Sequence, residues 1–456
     1  MPLKLVCLIF NVIFLSAVNC TKNETFPVYF TDHIESHSIL AARERSRIEF
    51  QADGKFGVVK GYSGFLTVNR EFNSNLFFWY VEADYEPETA PVVVYVNGRN
   101  SSLLGSFLFH GPFIVTWDYQ LRQRWFSWHR HFHTVYMDPA VGYGFSFTEA
   151  EQGYSRNRTQ VGQDLYEALV QFFQVFPEHR RRDLYIAGES FDGNFAIALA
   201  YTVDKKNPEA REKLNLKGVY IDNPWIDPSI QLGYGTHFYD IGLIDRHSKH
   251  KFQDHSEEIR NLIKVEKFVE ANTAFRAMML SEDSLYERAT GFPDPYNYVY
   301  GGRPIELWAS WMRTEEGRRF LNVGDRQFQD GRLAASLLAG EFMAPVKPWV
   351  EQLVKNYKLL FYSGQLDALC PHTLVGKALD SIEWDGRHKF LAADRKVYQD
   401  GLIVGAYIRG EGRLVQTLLL NGSHHLTFDD PHKVITMLRS FIRDESFETW
   451  SIRVIG

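Results

Sequence analysis

Residues Leu184–Ala200 read LYIAGESFDGNFAIALA, and the fold turns on how the serine at 190 is carried. Leu184–Ala187 is a short apolar run of strand character. Gly188 interrupts it, Ser190 follows two residues later, and Asn194–Ala200 (NFAIALA) is a helix-forming run of small and apolar residues. Strand, glycine turn, serine and helix together make a nucleophile elbow, in which a tight turn lifts the hydroxyl above a sheet and a helix N-terminus lies beneath it. The same letters also spell a glycine turn followed by a serine cap. The flanking chain has to decide between the two.

Moving outward, PVVVYV (Pro91–Val96), TVYM (Thr134–Met137) and GVYI (Gly218–Ile221) are near-continuously apolar, as strands buried on both faces of a parallel sheet should be. Between them VGQDLYEALVQFFQVF (Val161–Phe176) places Leu165, Ala168, Leu169, Phe172, Phe173 and Phe176 on one helical face, and Pro177 stops it. Strands alternating with helices predict an α/β fold with a mostly parallel central sheet. From about Trp225 to Gly340 the alternation gives way to charged helical runs and loops rich in Gly, Pro and Tyr, which reads as a helical cap insertion. Strands resume at KLLFY (Lys358–Tyr362) and RLVQTLLL (Arg413–Leu420), and the amphipathic PHKVITMLRSFIRD (Pro431–Asp444) closes the fold.

Two strand ends then support the elbow. Asp367 lies just past KLLFY, and the pair His424-His425 lies just past RLVQTLLL. Serine, acid and base in that chain order, each at the carboxyl end of a strand, is the order of the α/β-hydrolase fold. A histidine must take the serine proton, and a buried carboxylate must hold the imidazole tautomer and stabilise its cation. Spacing alone leaves His424 and His425 as competitors for the base.

The 456 residues carry 45% apolar and 23% charged side chains, ample for a large core, and a net charge of −6 argues against nucleic acid or an anionic membrane as main partner. MPLK followed by LVCLIFNVIFLSAV and then the polar NCTKNET has the order of a secretory signal peptide cut near Cys20. The organisation expected is therefore 1–20 signal peptide, 21–225 first part of the core, 226–340 cap, and 341–456 second part of the core. Removal of Cys7 and Cys20 would leave Cys370 as a lone buried thiol without an intrachain disulfide. Candidate glycosylation sequons begin at Asn23, Asn100, Asn157 and Asn421. Three alternating histidines in Trp128–His133 would share one face of a strand. They lead into a buried run with no carboxylate evident nearby, so no metal and no cofactor is expected.

Longer stretches resemble the serine carboxypeptidases, in particular their vitellogenic carboxypeptidase-like branch. GYSGFLTVNREFNSNLFFWYVEA, VYMDPAVGYGFSFTEAEQGY, DLYEALVQFFQVFPEHRRRDLYIAGES, KPWVEQLVKNYKLLFYSGQLD and GAYIRGEGRLVQTLLLNGSHH carry the resemblance. It implies Ser190 as nucleophile, Asp367 as acid and, by gapless alignment of the G-x-G-H segment on Asn421–His424, His424 as base. It further implies that Glu189 and Asn97 bind the substrate's terminal carboxylate, and that backbone N–H groups of Gly98 and Phe191 form the oxyanion hole. A carboxyl group donates to a carboxylate only while protonated, so activity at acid pH on peptide C-termini is implied, in a lysosomal or secreted setting.

The chain departs from that pattern in places. The family's N-G-G-P-G-x-S-S loop is two residues shorter here (Asn97-Gly98-Arg99-Asn100-Ser101-Ser102), Asp192 stands where a small residue is usual, Tyr95 and Phe191 replace a tryptophan and a tyrosine, and the cap lacks the usual cysteines. One oxyanion donor is typically worth about 10²–10³ in rate. Beside the carboxypeptidase reading stand a catalytically impaired binding protein and an esterase or acyltransferase using the same triad.

Overall fold

The near-continuous apolar runs form the middle of one large twisted sheet. The computed structural model describes residues 27–51, 57–96, 103–300, 307–400, 403–410 and 412–443. The sheet's strands are β1 Arg47–Phe50, β2 Val59–Asn69, β3 Ser74–Val81, β4 Val92–Val96, β5 His133–Met137 and β6 Leu184–Glu189, then β7 Leu216–Asp222, β8 Lys358–Gly364, β9 Lys396–Asp400, β10 Ile403–Arg409 and β11 Leu414–Leu419. Their order across the sheet is β1-β2-β3-β5-β4-β6-β7-β8-β11-β10-β9. The block from β5 to β11 is parallel throughout, and the strands outside it pair antiparallel.

The parallel block explains the apolar runs: every residue of β4, β5 and β6 is buried, because helices cover both faces. Helix α1 (Arg158–Val175) starts where the Asn157 side chain accepts the Gln160 N–H at 2.9 Å, and Pro177 ends it as expected. Its apolar face packs on α2 (Gly193–Lys206), the helix that leaves the serine turn. The rings of Phe172 and Phe176 meet Phe78 and Tyr80 of β3.

Between β7 and β8 the chain is mainly helical, including α3 (Arg246–Lys264) and α4 (Phe268–Met279). His247, His250 and His255 lie on the exposed face of α3, while Phe252 and Ile259 face inward. A buried ion pair fastens this region to α1. Arg158 Nε donates to Glu341 Oε2 at 2.6 Å, its Nη2 donates to the Ala344 carbonyl at 2.9 Å, and its guanidinium lies over Trp349.

Two parts of the sheet were not legible as strands. β2 and β3 form a hairpin in which all eight residues of β3 are buried, so the period-two alternation is erased. β9 and β10 make a second hairpin, and β11 inserts between β10 and β8, so the chain does not pass directly from one central strand to the next.

The register places one sheet edge for chemistry. Glu189 of β6 lies level with Asp222 of β7, Asp222 with Tyr362 of β8, and Gly364 with Leu419 of β11. The residues that follow these strands therefore emerge side by side.

Candidate active site

Ser190 sits at the sharp turn between β6 and α2 with φ +55°, a left-handed conformation that costs a non-glycine residue roughly 1 kcal/mol. Glycines on both sides permit it. A Cβ on Gly188 would come 2.8 Å from the Gly193 Cα, and a Cβ on Gly193 would come 2.5 Å from Ile221 Cγ2. The Ser190 N–H donates to the Asp222 carbonyl at 2.7 Å, and the residue remains only half-buried. The strained turn, the two close-approach glycines and the accessible hydroxyl match an elbow rather than a capped turn.

Asp367 is fully buried after β8. Its Oδ2 accepts from His424 Nδ1 at 2.8 Å, while Oδ1 accepts the N–H groups of Leu369 at 2.7 Å and Cys370 at 3.0 Å. The carboxylate thus has three donors, and the imidazole is held as the tautomer whose Nε2 carries the lone pair. His424 and not His425 meets Asp367, so the geometry separates the two candidates.

Asn223, which sequence reasoning passed over, locks this arrangement. Immediately after β7 and wholly buried, it has φ +42°, donates from Nδ2 to the His424 carbonyl at 2.8 Å and accepts the Gly364 N–H at Oδ1 at 2.9 Å. The only sequence signal was its place at the carboxyl end of a strand between the serine and acid strands. Replacing Asn223 with Ala would leave a buried carbonyl and a buried N–H unpaired. A stability loss of about 2–3 kcal/mol is expected in urea unfolding.

Cys370 is a buried, free thiol as expected, and it belongs to the site: its Sγ, an Asp367 carboxylate oxygen and a His424 nitrogen lie within 4.8 Å of one another. Burial, with Asp367 adjacent, pushes this thiol well above its usual range, so it stays protonated.

Glu189 points into a second polar cluster. Its Oε1 lies 3.1 Å from His425 Nδ1, and its Oε2 accepts from the Tyr95 hydroxyl at 3.4 Å. Burial, and then the neighbouring Glu189, raise the Asp222 carboxyl well above the carboxylate range, and Asp222 Oδ1 has no hydrogen-bond partner among the described residues. Phe191, next to the serine, packs its ring on Phe195 and on Phe342 of the segment between β7 and β8. Asp192 is buried at the N-cap of α2.

Asn23, Asn97, Gly98 and Asn100 lie outside the described residues. Asn157 and Asn421 are exposed; Asn421 has φ +62° just past β11, three residues before His424. The alternating histidines do not share a strand face, because Trp128–Arg130 is a 3₁₀ turn. They have separate partners instead. His129 Nδ1 meets Ser127 Oγ at 2.6 Å, and His131 stacks on Tyr85. His133 donates from Nε2 to the Pro87 carbonyl at 2.8 Å and accepts the Tyr80 hydroxyl at Nδ1, also at 2.8 Å, with burial pushing it down to about 4.

A family model, Serine carboxypeptidase, matches residues 53–444. The venom serine carboxypeptidase of Apis mellifera is 35% identical over 92% of this chain and 92% of its own, and the vitellogenic carboxypeptidase of Aedes aegypti is 34% identical over 91% of this chain and 89% of its own. Among solved structures, the prohormone-processing carboxypeptidase KEX1(delta)p from Saccharomyces cerevisiae superposes with a TM-score of 0.71 at 19% identity. The match covers 85% of this chain and 92% of that one, and it shows a shared fold.

Proposed function

The chain belongs to the serine carboxypeptidase family, and from that premise we propose a mechanism for removing C-terminal residues from peptides in which Ser190, His424 and Asp367 act as nucleophile, base and orienting acid. The observation that carries these roles is the buried Asp367–His424 pair at 2.8 Å, set on the same sheet edge as a serine held at φ +55°. Ser190 Oγ attacks the carbonyl of the last peptide bond while His424 Nε2 takes its proton. The resulting oxyanion is received by backbone N–H groups of Phe191 and Gly98. His424 then passes the proton to the departing amine, and water resolves the acyl-enzyme by the same route. Glu189, next to Ser190, and Asn97 serve the substrate's terminal carboxylate, which favours acid conditions.

The helices between β7 and β8 form the cap over this edge, with Phe342 resting on Phe191. No helix among the described residues is long and apolar enough to cross a membrane. The leader-like 1–20 and the exposed sequons at Asn157 and Asn421 support a secreted or lysosomal, glycosylated protein.

The test is labelling of the purified protein with a fluorophosphonate at pH 5, with Ser190→Ala as control. Labelling of the wild-type chain and none of the variant is expected. A folded wild-type chain that takes no label overturns the assignment and favours a binding protein.

A further inference from the structure

Four carboxyl groups, Glu189, Asp222, Asp367 and Asp429, gather with two imidazoles, His424 and His425, around the ends of β6, β7, β8 and β11. A carboxypeptidase must accept a further negative charge here. The free carboxylate of its substrate lies one residue beyond the scissile carbonyl, within a few ångströms of Ser190. An anion entering an acidic site is repelled unless a cation or a neutral donor is waiting. His424 is committed to Asp367 and to the serine proton. His425 remains.

The surroundings of His425 suit it to that task. Its ring is stacked between Phe109 (centroids 5.0 Å, planes 29° apart) and Tyr296 (5.3 Å, 25°), so only its edge is presented. Nδ1 is held by Glu189 Oε1 at 3.1 Å. Nε2 makes no hydrogen bond among the described residues, and the side chain keeps 15% of its surface exposed. Its backbone N–H donates to Ser423 Oγ at 3.1 Å, fixing the residue next to the base. The charged and titratable groups that face it are Glu189 from β6, with Asp222 and Tyr95 behind, Asp429 from the short helix Leu426–Asp429, Tyr296 from the loop before β8, and His424 beside it.

Building on the carboxypeptidase reading, we propose that His425 is the receptor for the substrate's terminal carboxylate: held at Nδ1 by Glu189, it donates Nε2–H to the incoming carboxylate. The two surrounding aromatic faces fix the ring so that its edge meets the substrate. In this arrangement Glu189 orients the imidazole, and His425 makes the contact.

The experiment measures binding without turnover. Ser190→Ala protein is titrated calorimetrically at pH 5 with N-acetyl-Ala-Phe and with its C-terminal amide. The acid is expected to bind at least tenfold more tightly than the amide. In Ser190→Ala/His425→Gln the ratio is expected near one. A tenfold preference that survives His425→Gln overturns the proposal, as does no preference at all in the Ser190→Ala protein. Should that double variant not fold, Ser190→Ala/His425→Phe, which keeps a stacked ring and removes the donor, is measured in its place with the same outcomes. Failure of the catalytic assignment would appear separately, as missing fluorophosphonate label, because the binding assay uses no nucleophile.

Discussion

Asp367→Asn is expected to lower kcat about 10⁴-fold while leaving KM close to its wild-type value. Asparagine can keep its oxygen toward the N–H groups of Leu369 and Cys370, which bind Asp367 Oδ1 at 2.7 and 3.0 Å. Its amide NH₂ then faces His424 Nδ1, where the carboxylate Oδ2 stood at 2.8 Å. Two N–H donors cannot share that contact, so the imidazole proton moves to Nε2 and the lone pair needed for Ser190 disappears. The shape of the site is unchanged, which is why binding should persist. Steady-state kinetics on a blocked dipeptide, with a thermal melt to show the fold intact, checks this. A loss of less than tenfold would remove Asp367 from the mechanism. The Asp367→Asn and Ser190→Ala losses should not multiply, since the three residues act as one unit.

The second large effect concerns stability. Glu341→Ala is expected to destabilise the protein by about 3–5 kcal/mol, because it leaves the Arg158 guanidinium buried without its counter-charge. Arg158 is 4% exposed in its side chain and its Nε–Glu341 Oε2 contact is 2.6 Å. Removing both charges with similarly sized apolar residues, Arg158→Met with Glu341→Leu, should recover most of the loss, since the pair's attraction largely offsets its desolvation. Urea unfolding of the single and double variants measures both. Equal stability of Glu341→Ala and wild type would mean that the pair contributes nothing to joining α1 and the segment before β8.

The parts of the fold legible from residue pattern are those where one rule dominates. β4, β6, β7, β8 and β11 are apolar runs between breakers, and α1 has a clean stripe that ends at Pro177. β3 escaped because burial on both faces removes the alternation that marks a strand, and the β9–β10 hairpin escaped because it lies at the sheet's edge, with β11 taking the place beside β8. At the site, Ser190, Asp367 and the histidine pair were visible because each follows a strand. The choice of His424 needed the distance to Asp367, or the resemblance that anticipated it. Asn223 had only its place at a strand end to mark it, and the Glu189–His425 contact had nothing: both join residues more than two hundred positions apart whose types carry no signal alone.

The place of β11 between β8 and β10 also sets a clock on synthesis. His424 follows Ser190 by roughly 230 residues. At about 5–20 residues per second, the base leaves the ribosome on the order of 10–50 s after the nucleophile. Until β11 is made the β9–β10 hairpin has no neighbouring strand to join it to the sheet, and throughout the interval the serine has no partner to take its proton. Because the final strand both completes the sheet and leads into the proposed base, the three proposed catalytic residues come together only at the end of synthesis.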